Sequence, residues 1–270
     1  MSLSDAQLDR YARHIVLKEI GGAGQQKLVR AAVALVGAGG IGAPALQYLV
    51  AAGVGRIRLI DDDRVSLDNL QRQVLFGTGD IGRVKVDVAG ERMAAINPDV
   101  TFEPVKARLD ADNVAALLDG VDLVLDGSDN FMTRLTVSDH CTHAHIPLVS
   151  AAIGQFQAQI GTFRGWEPDK PCYRCFVGDA FDADDCDGCA ELGVLGAMAG
   201  IAGSWAAMEA IREIVGFGEP QAGRLHIFNG LGPSMRTIRI AKDPACRGCG
   251  AAQAPNSLSA SSKKRAVSAG

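Results

Sequence analysis

The sequence predicts an α/β protein with a doubly wound, mostly parallel sheet, and three observations support this fold class. Short apolar strands, such as residues 33–36 and 121–125, alternate with segments of helical periodicity. The first strand runs directly into a glycine turn and a helix, as at the start of a doubly wound sheet. Three strand-like segments separated by turn residues follow in the last part of the chain. We therefore expect a Rossmann-like sheet with antiparallel strands added at one edge.

The N-terminal segment, residues 4–19, has the pattern of a single amphipathic helix. Ser4 and Gln7 have the spacing of a capping box at its start, and the glycines of residues 21–24 are expected to end it. A solvent-exposed face is a sufficient explanation for its positive charge, although the charge exceeds what a short helix needs for solubility. The charged side chains are Arg10, Arg13, His14 and Lys18.

The following elements continue the alternation of strands and helices. A second strand with alternating polarity ends at Asp61. Pro98 is expected to stop the next helix, and Pro104 places the strand after it at an edge of the sheet. The expected helices cover residues 80–96, 110–118 and 131–144, and the expected strands cover residues 100–105, 121–125, 147–150, 159–163, 225–229 and 235–240.

Length and charge restrict the classes of protein that fit. A chain of 270 residues can form one large domain, which we expect over residues 1–250, with a disordered tail at residues 251–270. The net charge of −4 would attract neither nucleic acid nor an anionic membrane. Residues 192–208 are uncharged but rich in Gly and Ala, which predicts a buried helix and no membrane span. No secretory leader is apparent, so we expect a cytoplasmic protein.

A nucleotide site is expected where the first strand ends. Glycine permits the tight turn there and lets the backbone approach a phosphate at the N-terminus of the next helix. Asp61 follows 24 residues after the first glycine of the turn and could accept hydrogen bonds from ribose hydroxyls. NAD, FAD and ATP all fit this pattern. The four glycines of the turn are Gly37, Gly39, Gly40 and Gly42.

The residues after Asp61 favour chemistry at a phosphate. Cations, a carboxylate and amides follow two strands of the same sheet, and the carboxyl ends of parallel strands share one edge. Arginine and lysine can hold phosphate charge, and a carboxylate can bind Mg²⁺. Surface charges on an NAD-binding domain are the alternative explanation. The side chains concerned are Asn69, Gln71, Arg72, Lys85, Asp129 and Asn130.

Four of the seven cysteines form two CxxC pairs, Cys172 with Cys175 and Cys246 with Cys249. Four thiolates suit tetrahedral zinc, and because they leave no open coordination position the zinc would be structural. It would join the C-terminal end of the domain to the middle of the chain. Four free cysteines in the core are the alternative.

With these motifs the chain resembles the molybdopterin-synthase and thiamine-pathway adenylyltransferases, bacterial relatives of the ubiquitin-activating enzymes. The resemblance covers about residues 10–250 and includes the basic start, the GxGGxG turn, the run from Asp61 to Gln73, Lys85 and both CxxC pairs. It implies ATP-dependent adenylation of the C-terminal Gly-Gly carboxylate of a small ubiquitin-like sulfur-carrier protein, with release of pyrophosphate. The molybdopterin-synthase carrier is the first expectation, and carriers of the thiamine and cysteine pathways are alternatives.

The resemblance also implies roles for individual residues. Asp61 would hold the ribose, and Gly40 would approach the phosphates through its backbone. Arg72 and Lys85 would bind the phosphates. Asp129 would bind Mg²⁺. In a homodimer Arg13 would reach into the partner's site, and the other positions expected to line the ATP site are Gly37, Gly39, Gly42, Asp63, Asn69, Gln71 and Asn130.

The resemblance further implies that residues 176–192 form a crossover loop over the carrier's tail. In the resembled family a cysteine stands at the position of Cys189, which could accept the activated acyl group or a persulfide. Neighbouring acidic residues should disfavour its thiolate, so a dispensable thiol is the alternative. Cys186 departs from the family pattern. We expect a separate sulfur donor, such as a cysteine desulfurase or a rhodanese.

Two functions from other classes are also weighed. The glycine turn alone permits an NAD-dependent oxidoreductase, which tight binding of ATP without binding of NADH would exclude. A non-catalytic zinc scaffold for a ubiquitin-like partner would be expected to lose the cationic and Mg²⁺ positions. This chain retains Arg72, Lys85 and Asp129.

Overall fold

Eight strands form the predicted sheet in a computed structural model that describes residues 3–178 and 193–250. The strands are β1 (Ala32–Val36), β2 (Arg56–Ile60), β3 (Thr101–Val105), β4 (Leu123–Asp126), β5 (Leu148–Gly154), β6 (Gln157–Phe163), β7 (Arg224–Asn229) and β8 (Ser234–Arg239). Their order across the sheet is β3-β2-β1-β4-β5-β6-β7-β8. The strands β1 to β5 pair in parallel, and β6, β7 and β8 add antiparallel pairs. The predicted fold class and the edge position of β3 are therefore confirmed.

Helices cover both faces of this sheet. Their bounds, within the described part of the chain, are α1 (Asp5–Arg10), α2 (Ala12–Ile15), α3 (Gly21–Arg30), α4 (Gly42–Ala51), α5 (Lys85–Ile96), α6 (Val114–Leu117), α7 (Phe131–Ala144), α8 (Tyr173–Val177) and α9 (Gly196–Val215). Two short 3-10 turns, Leu67–Asn69 and Thr78–Asp80, lie between β2 and α5. The expected helix at residues 131–144 is confirmed, and Asn130 caps it by accepting a hydrogen bond from the Thr133 amide.

The core has two layers, one on each face of the sheet. Alternate residues of β1 belong to different layers, because successive side chains of a strand point to opposite faces. Val33 and Leu35 pack with α3, α4, α5 and α9. Ala34 and Val36 pack with α6, α7 and α8. This double cover explains why β1 is apolar at every position.

The N-terminal segment differs from the single helix expected over residues 4–19. The Ser4 and Gln7 capping box is present, but the helix breaks at Tyr11. The Tyr11 ring is buried beneath Gly53, and its hydroxyl accepts a hydrogen bond from Asn97 Nδ2 at 2.8 Å. This tertiary anchor sets the direction of the chain there.

The expectation that Gly21, Gly22 and Gly24 end a helix is wrong, because they begin α3. Gly21 has a φ of +58° at the start of the helix. A Cβ at Gly24 would lie 2.8 Å from Val215 Cγ1 at the end of α9. The glycines thus permit a bend and a close helix contact.

Two other helix boundaries also differ from the prediction. The helix expected from residue 80 begins at Lys85, because Asp80 instead closes a 3-10 turn by accepting a hydrogen bond from the Gly77 amide. The helix expected at residues 110–118 is the short α6. Asp110 accepts hydrogen bonds from the amides of Asp112 and Asn113, which forms a turn before that helix.

The small-residue segment forms the buried helix that was expected. A Cβ at Gly203 of α9 would lie 2.3 Å from the carbonyl oxygen of Ile41, so only glycine allows α9 to approach α4 this closely. Among the described residues, no helix is both long enough and apolar enough to cross a bilayer. The domain limits 1–250 stay a prediction, and the expected tail at residues 251–270 lies outside the described residues.

Candidate nucleotide and metal sites

The glycine turn between β1 and α4 depends on its glycines. Gly37 has a φ of +91°, a conformation that other residues rarely adopt. A Cβ at Gly42 would lie 1.8 Å from the carbonyl oxygen of Gly37, so the turn cannot close around a larger residue. The turn therefore opens directly into α4, whose first amides point beyond the carboxyl end of β1 and favour an anion.

The predicted run of polar residues lies against this turn. A Cβ at Gly40 would lie 3.4 Å from Arg72 Cγ and 3.0 Å from Ala199 Cβ, which places the Arg72 side chain and α9 beside the turn. A Cβ at Gly196 would lie 2.1 Å from the carbonyl oxygen of Gln71, so the start of α9 packs on the same run. The structure thus brings Arg72 and the glycine turn together, as expected from sequence.

Hydrogen bonds within the run fix its shape. Asn69 Nδ2 donates to Ser66 Oγ at 2.7 Å, and Gln73 Nε2 donates to Asn69 Oδ1 at 2.5 Å. Arg72 donates to the carbonyl oxygen of Asp68 at 3.2 Å. Hydrogen bonds from Ser66 and Asn69 lower the pKa of Asp68. The Gln71 side chain is exposed and so is accessible to a ligand.

Acidic residues at the end of β2 connect the turn to Lys85. Asp61 accepts hydrogen bonds from the amides of Ala38, at 2.7 Å, and Asp63, at 2.9 Å. Lys85 Nζ lies 2.8 Å from Asp63 Oδ2, and the lysine side chain is only 3% exposed. Burial raises the pKa of Asp61, although Lys85 and the two amides oppose the shift. A buried ammonium group therefore stands beside the edge of the turn.

The loop after β4 completes this edge of the sheet. A Cβ at Gly37 would lie 3.3 Å from the backbone of Gly127, so the loop packs directly on the glycine turn. Asp129 is exposed, and its hard oxygen donors fit Mg²⁺. Asn130 faces α7, where its side chain caps the helix. The structure thus places the β4–α7 loop next to the turn, as predicted from the shared edge of parallel strands.

Arg13 lies far from the glycine turn, at the opposite end of α4. The preceding Arg10 donates to the carbonyl oxygen of Ile96, and Tyr11 packs at Gly53, so α1 and α2 lie where α4 and α5 end. Arg13 is exposed there. Its side chain is therefore separated from the glycine turn of the same chain by the length of α4.

The four cysteines of the two CxxC pairs form a cluster. Their sulfur atoms all lie within 4.8 Å of one another. The Sγ atoms of Cys172 and Cys246 are 3.5 Å apart, and those of Cys175 and Cys249 are 3.3 Å apart. Burial raises the pKa of the Cys249 thiol to about 11, so a bound cation would be needed to hold its thiolate at neutral pH. The cluster could hold one metal ion, and its four sulfur donors suit zinc.

Comparison with known proteins adds to this geometry. The model of the ThiF family matches residues 11–248, which is most of the chain. The chain belongs to the ThiF family. The resemblance found in the sequence is therefore confirmed.

Two curated relatives align over nearly their whole length. The SAMP-activating enzyme E1 of Haloferax volcanii is 43% identical over 250 residues, which cover 93% of this chain and 92% of the relative. The sulfur carrier protein adenylyltransferase of Thermus thermophilus is 42% identical, with 93% of each chain covered. Escherichia coli MccB, solved with ATP, has a TM-score of 0.80 at 22% identity, covering 92% of this chain and 75% of that chain. The similarity to MccB shows a shared fold.

In this ThiF-family chain two predicted residues have no described position. Cys189 and Cys186, with most of the expected crossover loop, lie outside the residues that the structure describes. Their roles remain predictions.

Sequence reasoning missed one charged residue close to the site. Arg134 lies on α7 with its side chain buried behind the β4–α7 loop, where it donates to the carbonyl oxygen of Ser128. A signal was available, because Arg134 follows the Asn130 cap by four residues and lies among the apolar residues that α7 buries. A charge on a buried helix face requires partners.

Proposed function

We propose that this ThiF-family chain is an ATP-dependent adenylyltransferase. Its substrate would be the C-terminal Gly-Gly carboxylate of a small ubiquitin-like sulfur-carrier protein. The observation that supports this most is the meeting of the glycine turn, Arg72, Lys85 and the Asp129 loop at one edge of the sheet. The names of the two curated relatives agree with such an activity. Family membership also favours it over an NAD-dependent oxidoreductase.

The reaction joins a carboxylate to AMP. A carboxylate oxygen of the carrier attacks the α-phosphorus of ATP, the bond from that phosphorus to the bridging oxygen breaks, and pyrophosphate leaves with the oxygen. The product is an acyl-adenylate. The protein's contribution is alignment of the carboxylate with the α-phosphate and stabilisation of the charge that develops there. No protein nucleophile is needed for this step.

The proposed roles follow from positions at the edge of the sheet. Asp61 binds the ribose, and the backbone at Gly40 approaches the phosphates. The cations of Arg72 and Lys85 hold phosphate charge. Asp129 holds Mg²⁺, which when bound neutralises charge on the pyrophosphate. The remaining residues proposed to line the ATP are Gly37, Gly39, Gly42, Asp63, Asn69, Gln71 and Asn130.

Other parts of the chain have proposed roles outside the adenylation step. The cysteine cluster holds structural zinc. Arg13 acts in the site of the partner in a homodimer, a role supported by the position of α1 and α2 at the far end of α4 from the glycine turn. Cys189 accepts the acyl group from the acyl-adenylate as a thioester, with release of AMP, or it becomes a persulfide by taking the sulfane sulfur from the persulfide of a separate donor, whose thiol is released. This donor is a protein such as a cysteine desulfurase or a rhodanese.

Exchange of labelled pyrophosphate into ATP tests the proposed activity. Arg72→Ala and Asp129→Ala should each abolish carrier-dependent exchange while the circular dichroism spectrum and Tm stay close to those of the wild type. Both side chains are accessible at the edge of the sheet, so their loss should disturb binding more than folding. Near wild-type exchange in either variant would contradict the assignment.

A panel of purified carriers would identify the substrate. The molybdopterin-synthase carrier is the proposed one, and carriers of the thiamine and cysteine pathways are the alternatives. Each is assayed for exchange with its terminal Gly-Gly intact and with the last glycine deleted. Only the true substrate should support exchange that disappears on deletion, because the carboxylate then no longer reaches the α-phosphate.

A further inference from the structure

The buried guanidinium of Arg134 connects three parts of the chain near the proposed site. Arg134 is 6% exposed and lies on α7, one turn after the Asn130 cap. It donates to the carbonyl oxygen of Ser128 in the β4–α7 loop. It also donates to Ser150 Oγ at 3.2 Å and to the carbonyl oxygen of Ala151 at 2.9 Å, both on β5. One side chain thus ties the loop to the neighbouring strand.

An opposite charge accompanies this guanidinium. Asp126 is fully buried at the end of β4, and its Oδ2 atom lies 4.0 Å from Arg134 Nη1. Among the described residues Asp126 Oδ2 has no hydrogen-bond partner, while Oδ1 accepts from the Ser128 amide. The positive charge of Arg134 therefore offsets a buried carboxylate, and an uncompensated charge there would be costly.

We propose that Arg134 is a positioning residue for Asp129. Asp129 lies between two backbone positions that are both held: Ser128 by Arg134, and Asn130 by its cap on Thr133. The Asp129 carboxylate is exposed, so its direction depends on the backbone that carries it. The inference rests on the proposed function, in which Asp129 would hold Mg²⁺.

Arginine suits this task better than lysine. A guanidinium presents several N–H donors in one plane and can bond the loop and β5 at the same time, whereas an ammonium group is a single point of charge. Arg134→Lys would keep the charge that faces Asp126 while losing part of this fork. The substitution therefore separates positioning of the loop from neutralisation of the buried carboxylate.

The test compares Arg134→Lys with a matched control, Arg58→Lys. Arg58 also pairs with a carboxylate, that of Glu103, and donates to two carbonyl oxygens, those of Leu117 and Asp119. It fixes the loop before β4, whereas Arg134 fixes the loop after it. Each variant is assayed for ATP binding with and without Mg²⁺ by calorimetry, for hydrogen exchange of residues 127–131, and for carrier-dependent exchange of pyrophosphate.

We expect three results for Arg134→Lys that Arg58→Lys does not share. The gain in ATP affinity on adding Mg²⁺ should shrink about tenfold, because a displaced Asp129 loses most of one charged ligand interaction. Amides 127–131 should exchange faster. The rate of pyrophosphate exchange at saturating ATP should fall up to about 100-fold, the expected cost of misplacing a catalytic group by about 1 Å.

The proposal is overturned if Arg134→Lys lowers Tm but keeps the wild-type Mg²⁺ effect and hydrogen exchange, because Arg134 would then only stabilise the fold.

A second variant, Ser150→Ala, removes one acceptor and leaves both charges in place, so it covers the case in which Arg134→Lys does not fold. Ser150→Ala should reduce the Mg²⁺ effect in the same direction, and a wild-type Mg²⁺ effect would again contradict positioning. If wild-type protein exchanges no pyrophosphate, the proposed function fails, while ATP binding and hydrogen exchange still decide the role of Arg134.

Discussion

Polar side chains at the two ends of the parallel strands differ in their hydrogen-bond partners and in their exposure. At the amino-terminal end, polar side chains bond to groups of other elements and join these elements together. Asn97 donates to Tyr11 and to the carbonyl oxygen of Val50, and Asp122 accepts from the Ala32 amide. At the carboxyl-terminal end the charged side chains of Asp129 and Asp63 are exposed.

Buried polar atoms show the same contrast. Four buried side-chain atoms lack a hydrogen-bond partner within the described ranges 3–178 and 193–250, and three of them lie at the carboxyl-terminal end: Gln73 Oε1, Asp126 Oδ2 and Ser128 Oγ. Burying such groups without partners costs free energy. Among the described residues, the carboxyl-terminal end of the sheet therefore keeps more unpaired buried polar atoms than the amino-terminal end.

The largest effect should come from loss of the proposed zinc, which would lie at the amino-terminal end of the parallel strands. The cysteine cluster belongs to that end, because a Cβ at Gly165, two residues beyond Phe163 at the end of β6, would lie 2.6 Å from Cys172 Cβ. Structural zinc can contribute on the order of 10 kcal/mol to the folding of a small domain. We expect about one zinc per chain by mass spectrometry, and a large fall in Tm in Cys249→Ser with less than half an equivalent bound. Cys141→Ser, a buried cysteine outside the cluster, should retain the metal.

Lys85→Met should give the next largest effect, and it should lower activity much more than stability. Loss of a cation that holds phosphate charge typically slows such a reaction about 100- to 1,000-fold, or ~3–4 kcal/mol of transition-state stabilisation. The free energy of unfolding should change by less than about 1 kcal/mol, because the partner carboxylate of Asp63 is 65% exposed and remains solvated. Urea unfolding and pyrophosphate exchange measure the two quantities. A large loss of stability would show that Lys85 instead stabilises the fold, as the polar side chains at the amino-terminal end do.

Asn97→Ala should produce the converse result. The substitution removes the donor to the buried Tyr11 hydroxyl and one of the two donors to the Val50 carbonyl oxygen, which also accepts from the Gly53 amide; we expect this to cost about 2–3 kcal/mol of unfolding free energy. Exchange per folded molecule should stay within about twofold of wild type, since the site is at the other end of the sheet. The control is Asn113→Ala, whose side chain bonds a surface carbonyl oxygen and should matter little. A loss of exchange in folded Asn97→Ala would mean that the two ends are coupled.

How far the sequence could predict each end depends on what fixes the structure there. The helix Phe131–Ala144 and the sheet direction were predictable, because periodicity and caps are local signals. The break at Tyr11 and the start of α3 were not, because both depend on contacts with residues distant in sequence, Asn97 and Val215. Such tertiary contacts override the local helix propensity of the sequence.

The candidate site shows the same division. Arg72 and the Asp129 loop could be placed together because the carboxyl ends of parallel strands share an edge, which follows from fold class alone. The role of Arg134 could not be predicted, since its partners Ser128 and Ala151 contribute backbone carbonyl oxygens, which every residue type possesses. Bonds to backbone carbonyl oxygens leave no pattern at the positions that supply them.

The smallest predicted effect is a pair of opposite pH dependences. At the carboxyl-terminal end, burial raises the pKa of Asp61 above 3.8, so its contribution to stability is greatest at low pH and declines as pH rises through the folded pKa. Burial also favours a higher pKa for Glu103, but hydrogen bonds from Arg58 and Arg56 outweigh it and lower the pKa below 4.5, so its contribution is lost as pH falls. Urea unfolding between about pH 3.5 and 6 measures both effects. The difference in unfolding free energy between wild type and Asp61→Asn should shrink as pH rises. The difference between wild type and Glu103→Gln should grow as pH rises. Slopes of the same sign would contradict the opposite pKa shifts of Asp61 and Glu103.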